Sequence, residues 1–548
     1  MTGIYAINFL QAIKGKQVKT VKTFQQMYRD GHLSRREFLG AMGALGLTAT
    51  AAGALMTSAS VMAATPKKGG RLRMGITDAA VSDALDPALS ITIMQAVLTH
   101  GVLMNNLVEI DHEGNTVPEL AESWESSPDA SQWIFKLRKG VEFHNGKTLD
   151  AEDVVYTFNH HRGEESKSGA KGLLQAIEDV RSDGKDTVIF NLSGGSADFP
   201  FITSEFHMSI FPAGTKTIDQ HNQGIGTGPY QLESYDPGVR ALTTRNPNYW
   251  KSGRAHFDEV EVLSISDINA RTNALRTNEV DVINRAERKT VHLLRKNPDV
   301  EVVQTNGTQH YTMPMRTIEA PFDNNDLRLA LKHGVDRQAM LDLLLHGTGV
   351  LGNDHPISLA NRYHADLPQR QYDPDKAKYH LNKAGHSKIS LDLYASEAAF
   401  VGAADAAVLY REHAGKAGID ITVKQTPSDG YWNDVWMKVP WCTGFWFGRP
   451  TEDMMFSTAY AAGAAWNDSH WTHERFNKLL VEARAELNSQ KRAEMYSEMQ
   501  LIVRDEGGVV VPVFADFLMA STSKLAHGPV ASNIEMDGLR VPERWWFS

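Results

Sequence analysis

Cysteine is the scarcest residue in this chain: 548 residues contain one, Cys442. No intramolecular disulfide can form, which excludes a disulfide scaffold and a dithiol redox centre, and a core of this size needs no cross-link. Catalytic signatures are missing too. There is no H-E-x-x-H, G-x-S-x-G, P-loop or C-x-x-C, and no pair of carboxylates stands out for glycoside hydrolysis. The 21 histidines are scattered. His160-His161 and His470/His473 are the tightest groups, and without a nearby third ligand they read as solvated pairs, so neither metal nor cofactor is expected. Excess positive charge is absent as well: the formal net charge is -10. Residues 1–64 hold seven Lys/Arg and two Asp/Glu, so the rest of the chain carries -15. That balance argues against nucleic acid or an anionic membrane as partner. Repeats and low-complexity linkers are missing, and long apolar runs are confined to Gly40–Met62.

That run follows Ser34-Arg35-Arg36-Glu37-Phe38-Leu39, which resembles the S-R-R-x-F-L motif of twin-arginine signals. It approaches the ~20 residues that span a bilayer. However, it is rich in Gly, Ala and Thr, sits behind paired arginines and ends in Val61-Met62-Ala63-Ala64, small residues that a signal peptidase reads. Residues 1–64 are therefore expected to be a Tat signal peptide cleaved near Ala63/Ala64, with Thr65-Pro66-Lys67-Lys68 opening the mature chain. The segment before Ser34 is long for a signal, which makes Met27 an alternative start. No cysteine lies at the cleavage point, so a lipid anchor is not expected. The remaining composition, 42% hydrophobic and 22% charged, suits a soluble globular protein of two or three domains.

The most informative stretch is Glu119 to His161, ELAESWESSPDASQWIFKLRKGVEFHNGKTLDAEDVVYTFNHH. Ser126-Ser127-Pro128-Asp129 makes a turn, and Trp133, Phe135 and Leu137 alternate as a half-buried strand does. Lys139-Gly140 and Asn145-Gly146 are further turns. Asp150, followed by Glu152 and Asp153, predicts a helix N-cap. Beyond that, LAESWE, LRKGVEFHNG and LDAEDVVYTF, in this order and spacing, resemble the hallmark segment of the extracytoplasmic solute-binding proteins of family 5, the peptide-, opine- and nickel-type receptors of ABC importers. GTGPYQLESYDPGVRALTTRNPNYW at Gly226–Trp250 is similar to the family's GTGPY…RNPxYW segment. Its Asp236-Pro237-Gly238 predicts a hairpin turn. Ala270, Arg271, Ala274, Leu275, Glu279, Val280 and Asp281 match a further family pattern, read as a helix over 267–276 and a strand over 279–282. Val335-Asp336-Arg337 and Tyr372-Asp373-Pro374 fall where relatives carry similar words. The resemblance spans about Gly69 to about Phe514. Trp124, Phe143, Tyr230, Trp250 and Asp336-Arg337 are read as anchors, caps and ion pairs and not as ligand contacts.

The resemblance implies an α/β, two-lobed periplasmic binding protein clamp of the large, cluster C type. It implies lobe I over 65–315 with an extra subdomain inserted at about 108–224, lobe II over 316–500, and a return to lobe I over 501–548. A small-molecule ligand would be enclosed by hinge closure and delivered to an inner-membrane ABC permease, by a periplasmic monomer exported through the Tat translocon. No enzymatic activity is implied.

Specificity is expected to lie in Gly430–Trp471, which holds Trp432, Trp436, Trp441, Trp446, Trp466 and Trp471. Trp432 and Trp436, at i,i+4 spacing, suit a core. Trp446 and Phe447 end a short strand, the place where ligands of open α/β folds sit, so they are either ligand contacts or core. Peptide-binding members resemble G-D-x-x-D-P-D-N-F here, and their first Asp grips the peptide ammonium. This chain has Gly448-Arg449, with Asp453 following. A fork of donors has replaced a carboxylate, which suits an anionic group. Arg316 stands where relatives often have Asn. The expected ligand set is Arg449, Trp446, Phe447, Gly448, Arg316 and Asp453, for an opine-like, sugar-acid or modified-peptide solute. Open alternatives are that Arg449 pairs with Glu452 or Asp453, that the ligand is an ordinary di- or oligopeptide, or that the protein is an exported hydrolase or a chaperone.

Overall fold

Residues 66–427 and 431–548 are described by a computed structural model; the expected signal segment, Ala63/Ala64 and Met27 lie outside the described residues. Three sheets, of seven, five and four strands, organise the chain. The seven-stranded sheet runs in the order Val300–Thr305, Phe517–Thr522, Val282–Asn284, Arg71–Ile76, Glu259–Ser264, Arg240–Arg245, Tyr230–Asp236. Its centre is parallel: Arg71–Ile76 pairs in parallel with strands on both sides. Leu72, Met74 and Ile76 on that strand are fully buried, as a period of two along a covered strand requires. The Asp236-Pro237-Gly238 turn joins Tyr230–Asp236 to Arg240–Arg245 as expected, with Gly238 at φ +74. Asp267 caps helix Ile268–Arg276 by accepting from Ala270 N. The strand expected over 279–282 begins later, at Val282, because the helix end consumes the intervening residues: Thr277 N donates to Asn273 O and Glu279 N to Ala274 O.

The four-stranded sheet, Ala121–Ser126, Gln132–Leu137, Thr187–Leu192, Ile177–Ser182, falls within the segment read as an insertion. It has its own core, in which Trp133, Phe135 and Leu137 point inward together as their alternation predicts. Phe135 meets Phe190 edge-on with centroids 5.5 Å apart. Helix Ala151–Arg162 begins with the capping box Asp150/Asp153, an arrangement that satisfies two orphan N–H donors at once.

The five-stranded sheet centres on His310–Pro314, flanked by Gly444–Trp446 on one side and by Val509–Val510 and Val513–Ala515 on the other. Next to it, Ile389–Ala395 and Ile419–Gln425 pair in parallel, under helices Asn325–His333, Arg337–Leu345 and Ala403–Gly415. Arg337 forms a buried ion pair with Asp354 at 2.5 Å, and Asp336 caps Ala339 N, the two roles read for Asp336-Arg337.

The chain passes between the seven- and five-stranded sheets twice, at residues 306–309 and at Asp516. This corrects the expected boundaries at 315/316 and 500/501. His310–Pro314 already belongs to the second sheet, and Val509–Val510 and Val513–Ala515 still do, so the second body covers about 310–515. Asp516 fastens the crossings: it accepts from Gln304 Nε2 at 2.6 Å and Asn306 Nδ2 at 3.1 Å. Arg288 donates to Asp516 O and to Thr348 O, each at 2.7 Å.

Candidate ligand cleft

The turn after strand Gly444–Trp446 is tied to the first crossing. Thr308 Oγ1 donates to Phe447 O at 3.1 Å. Gly448 sits at φ +77, and a Cβ there would lie 2.4 Å from Thr308 O, so the left-handed conformation and the close approach both demand glycine. This fixes Phe447–Pro450 at the edge of the gap between the bodies. A cavity of about 120 Å³ lies there, walled by Thr308, Ala360, Arg362 and Pro450 on one side and by Ile110, Phe201 and Asn533 on the other.

The six expected ligand residues separate into two groups. Gly448, Arg449 and Phe447 stand together at the turn, and Phe447 is 64% exposed with its ring edge-on to Phe445. Arg449 lies 5.9 Å above the Trp446 ring and donates to Gly448 O at 2.7 Å. Among the described residues no carboxylate comes within 4.0 Å of it. Pairing with Glu452 or Asp453 does not occur: Glu452 accepts from Tyr363 N at 2.7 Å, and Asp453 accepts from Arg484 Nε at 3.0 Å. Burial pulls the Arg449 guanidinium down, opposed by the charge of Glu205 on the other body.

The other three are engaged elsewhere. Trp446 is buried, packed against Trp436 and Trp466. Asp453 is held by Arg484 and Ser457 in the first turn of helix Glu452–Ala459. Arg316 is paired with Glu319 at 2.8 Å and donates to Met437 O and Lys438 O, each at 3.0 Å. These contacts use Nε and Nη1 and point Arg316 at its own body. Trp432, read as core, is 38% exposed, while Trp436 packs partly buried beside it.

Sequence reasoning missed three groups here. His310 stands opposite Trp446 in the ladder, fully buried, with Nδ1 on Thr308 O and Nε2 unpartnered. Burial pushes it down to about 4. Asp468 is buried against Trp436 Nε1 at 3.3 Å and is pushed up to about 7 because burial penalises its charge. Glu205 reaches the site from the far body, and nothing in its local sequence signals that. Asp468 does lie inside the tryptophan-rich stretch, where an acid among six indoles is a usable signal.

Two bridges close the far end of the gap. Arg492, on helix Ser489–Glu506, pairs with Asp198 at 2.7 Å, and Ala197 N donates to Arg484 O at 2.7 Å. Between these bridges and the crossings, the two bodies enclose a gap, the geometry of a clamp that shuts about two strands.

Residues 115–468 match the family described as bacterial extracellular solute-binding proteins, family 5 Middle. The chain belongs to this family. This solute-binding protein is 26% identical over 452 residues to the dipeptide-binding protein of Escherichia coli K12, an alignment covering 75% of this chain and 83% of that one. Its fold is shared by HbpA2 from Haemophilus parasuis, with a TM-score of 0.77 at 22% identity, covering 85% of this chain and 98% of the other. It is likewise shared by AgaA from A. tumefaciens R10 in complex with agropinic acid, with a TM-score of 0.70 at 21% identity, covering 87% and 99%. The Escherichia coli relative is named a binding protein, and AgaA was solved with its ligand bound. The two-lobed α/β clamp of the sequence reading is thus the fold of this solute-binding protein. Among the described residues no helix is long and apolar enough to cross a membrane.

Proposed function

We propose that this protein is the periplasmic receptor of an ABC importer that captures a small organic solute carrying an anionic group, held by Arg449. The supporting observation is the state of Arg449: a guanidinium half-buried at the cleft edge, stacked over Trp446, with no carboxylate within 4.0 Å among the described residues. Buried charges are normally paired, and a ligand carboxylate or phosphate would complete this one with two parallel hydrogen bonds. Phe447, exposed beside it, offers an apolar face to the rest of the solute. Relatives support the class: one is named a dipeptide-binding protein and one was solved with agropinic acid. Opine-like conjugates, sugar acids and modified peptides satisfy the requirement for an anion. Ordinary peptides would need an ammonium partner other than residue 449.

The reading extends to hinge closure about residues 306–309 and Asp516, with ligand shifting the open–closed population by its differential affinity. It also includes export through the Tat translocon with cleavage near Ala63/Ala64, action as a monomer, and delivery to an inner-membrane permease. The test is a thermal-shift screen of residues 65–548 against opine-like and sugar-acid anions and against short peptides, followed by calorimetry on Arg449→Ala. Loss of one charge-assisted contact costs about 1.5–3 kcal/mol, so affinity should fall roughly 10- to 150-fold. Unchanged affinity in Arg449→Ala would end the anion-clamp reading, and a shift with peptides alone would favour the peptide receptor.

A further inference from the structure

A second cluster of titratable side chains lies inside the first body. Asp86, His160 and His221 are separated in sequence, yet one donor atom from each lies within 4.8 Å of the other two. His160 Nε2 is 3.0 Å from both carboxylate oxygens of Asp86, and His221 Nε2 is 3.7 Å from Oδ2. Donors bound to a tetrahedral zinc at ~2.0–2.1 Å stand roughly 3.3 Å apart, between these two values. His221 is 3% exposed, and neither of its ring nitrogens has a hydrogen-bond partner. A buried polar group left in this state needs an explanation.

The surroundings hold the three donors in place. Asp86 Oδ1 accepts from Ala88 N at 2.9 Å, which orients the carboxylate. Leu85 N donates to Asn222 Oδ1 at 2.8 Å, fastening the Asp86 turn to the segment that carries His221. Phe211 meets both imidazoles edge-on, at 5.4 Å from His160 and 4.9 Å from His221. His161 is not part of the set: its Nδ1 is on Ser168 Oγ at 2.7 Å, and its unpartnered Nε2 is not among the clustered donors. A cavity of about 200 Å³ has His221 in its wall, a route for an ion and for a water as fourth ligand.

We propose that Asp86, His160 and His221 form a zinc site that staples the 83–90 loop, helix Ala151–Arg162 and helix Ile218–His221 together. Two imidazoles and one carboxylate suit a borderline ion such as Zn²⁺ over Mg²⁺ or Ca²⁺. The site is independent of the solute reading.

The test is calorimetry and thermal melting of metal-stripped residues 65–548 with Zn²⁺ alone, beside Mg²⁺ as control. One tight Zn²⁺ equivalent and a melting point raised by several degrees are expected, with no response to Mg²⁺. His221→Gln and His160→Gln should each weaken that equivalent about 100-fold, while circular dichroism shows the fold intact and the affinity for any solute found in the screen is unchanged. Because the chain has 21 histidines, weak surface binding is separated by stoichiometry. Co²⁺ gives a second readout, its visible bands reporting a tetrahedral environment that the variants lose. The proposal is overturned if the tight equivalent is absent, or if it persists in the His160→Gln, His221→Gln double variant.

Discussion

Two sets of buried carboxylates, one in each body, meet opposite fates. In the first, Glu109, Glu119 and Glu543 are packed among Lys251, Arg540 and Arg544. Arg540 bonds Glu119 at 2.7 and 2.9 Å and Glu543 at 2.8 Å, and Lys251 reaches all three acids within 2.8 Å. Although burial alone would raise Glu109 and Glu543, the surrounding cations win: Glu543 is held down at about 2 and Glu109 well below its usual range. In the second body, Asp468 and Glu452 are equally buried with no ion-paired cation among the described residues, and both are pushed up to about 7. The same desolvation acts in both places, and only the neighbouring charge differs. A closed ionic network is a structural device, finished without a ligand. Acids left near neutrality, and Arg449, which has no ion partner among the described residues, belong to the second body.

The widest gap between the bodies should appear on cutting the network. Arg540→Met leaves Glu119 and Glu543 buried beside too few cations, a loss of roughly 3–5 kcal/mol. It would be read as a lower urea midpoint for the first body. Arg449→Ala should leave that midpoint within about 0.5 kcal/mol, because among the described residues Arg449 has no carboxylate to strand. Equal destabilisation by the two variants would break the contrast between structural and ligand-directed charge.

A smaller effect is expected at the bridge between the bodies. Asp198→Asn removes the ion partner of Arg492, whose guanidinium also lies over the rings of Tyr363 and Tyr496 at 5.3 and 5.4 Å. Those rings keep Arg492 packed, so the change should cost about 1–3 kcal/mol and be felt mainly in the closed form. Small-angle scattering of ligand-free protein would then show a larger radius of gyration than wild type. An unchanged radius would mean that the crossings alone set the degree of closure.

Much of this was legible in the residues. Local signals worked where one element decides its own form, as in the Asp150/Asp153 cap, the Asp236-Pro237-Gly238 turn and the alternation of Trp133, Phe135 and Leu137. Family words extended them to the clamp. The crossings were misplaced because strands such as Val509–Val510 are short, and their sheet is chosen by pairing with His310–Pro314, far away in sequence. The partners of Arg316 and Asp453 were hidden for the same reason: Glu319 and Arg484 pair with them, and a charged side chain does not announce its partner. Gly448-Arg449 drew notice because a departure from a pattern is visible in one dimension. The Asp86–His160–His221 cluster was not, since its members come from three distant segments.

The smallest effect concerns pH, and it separates the two kinds of carboxylate directly. For Glu543 the folded value, about 2, lies below the ordinary ~4.3. Its contribution is present above the ordinary value and is lost as pH falls from about 4 towards 2. For Asp468 the sign reverses. Its folded value of about 7 exceeds the ordinary ~3.9, so the neutral carboxyl favours the folded state fully below pH 4, and that advantage drains away as pH rises through 7. Since Asp468 accepts from Trp436 Nε1 at 3.3 Å, its ionisation should change tryptophan emission without unfolding. A fluorescence titration from pH 5 to 9 should show a step near 7 that Asp468→Asn abolishes, leaving Glu452 untouched. A step that survives the substitution would assign it to another group. Loss of the step on adding an anionic solute would place Asp468, through Trp436 and Trp446, within reach of the Arg449 site.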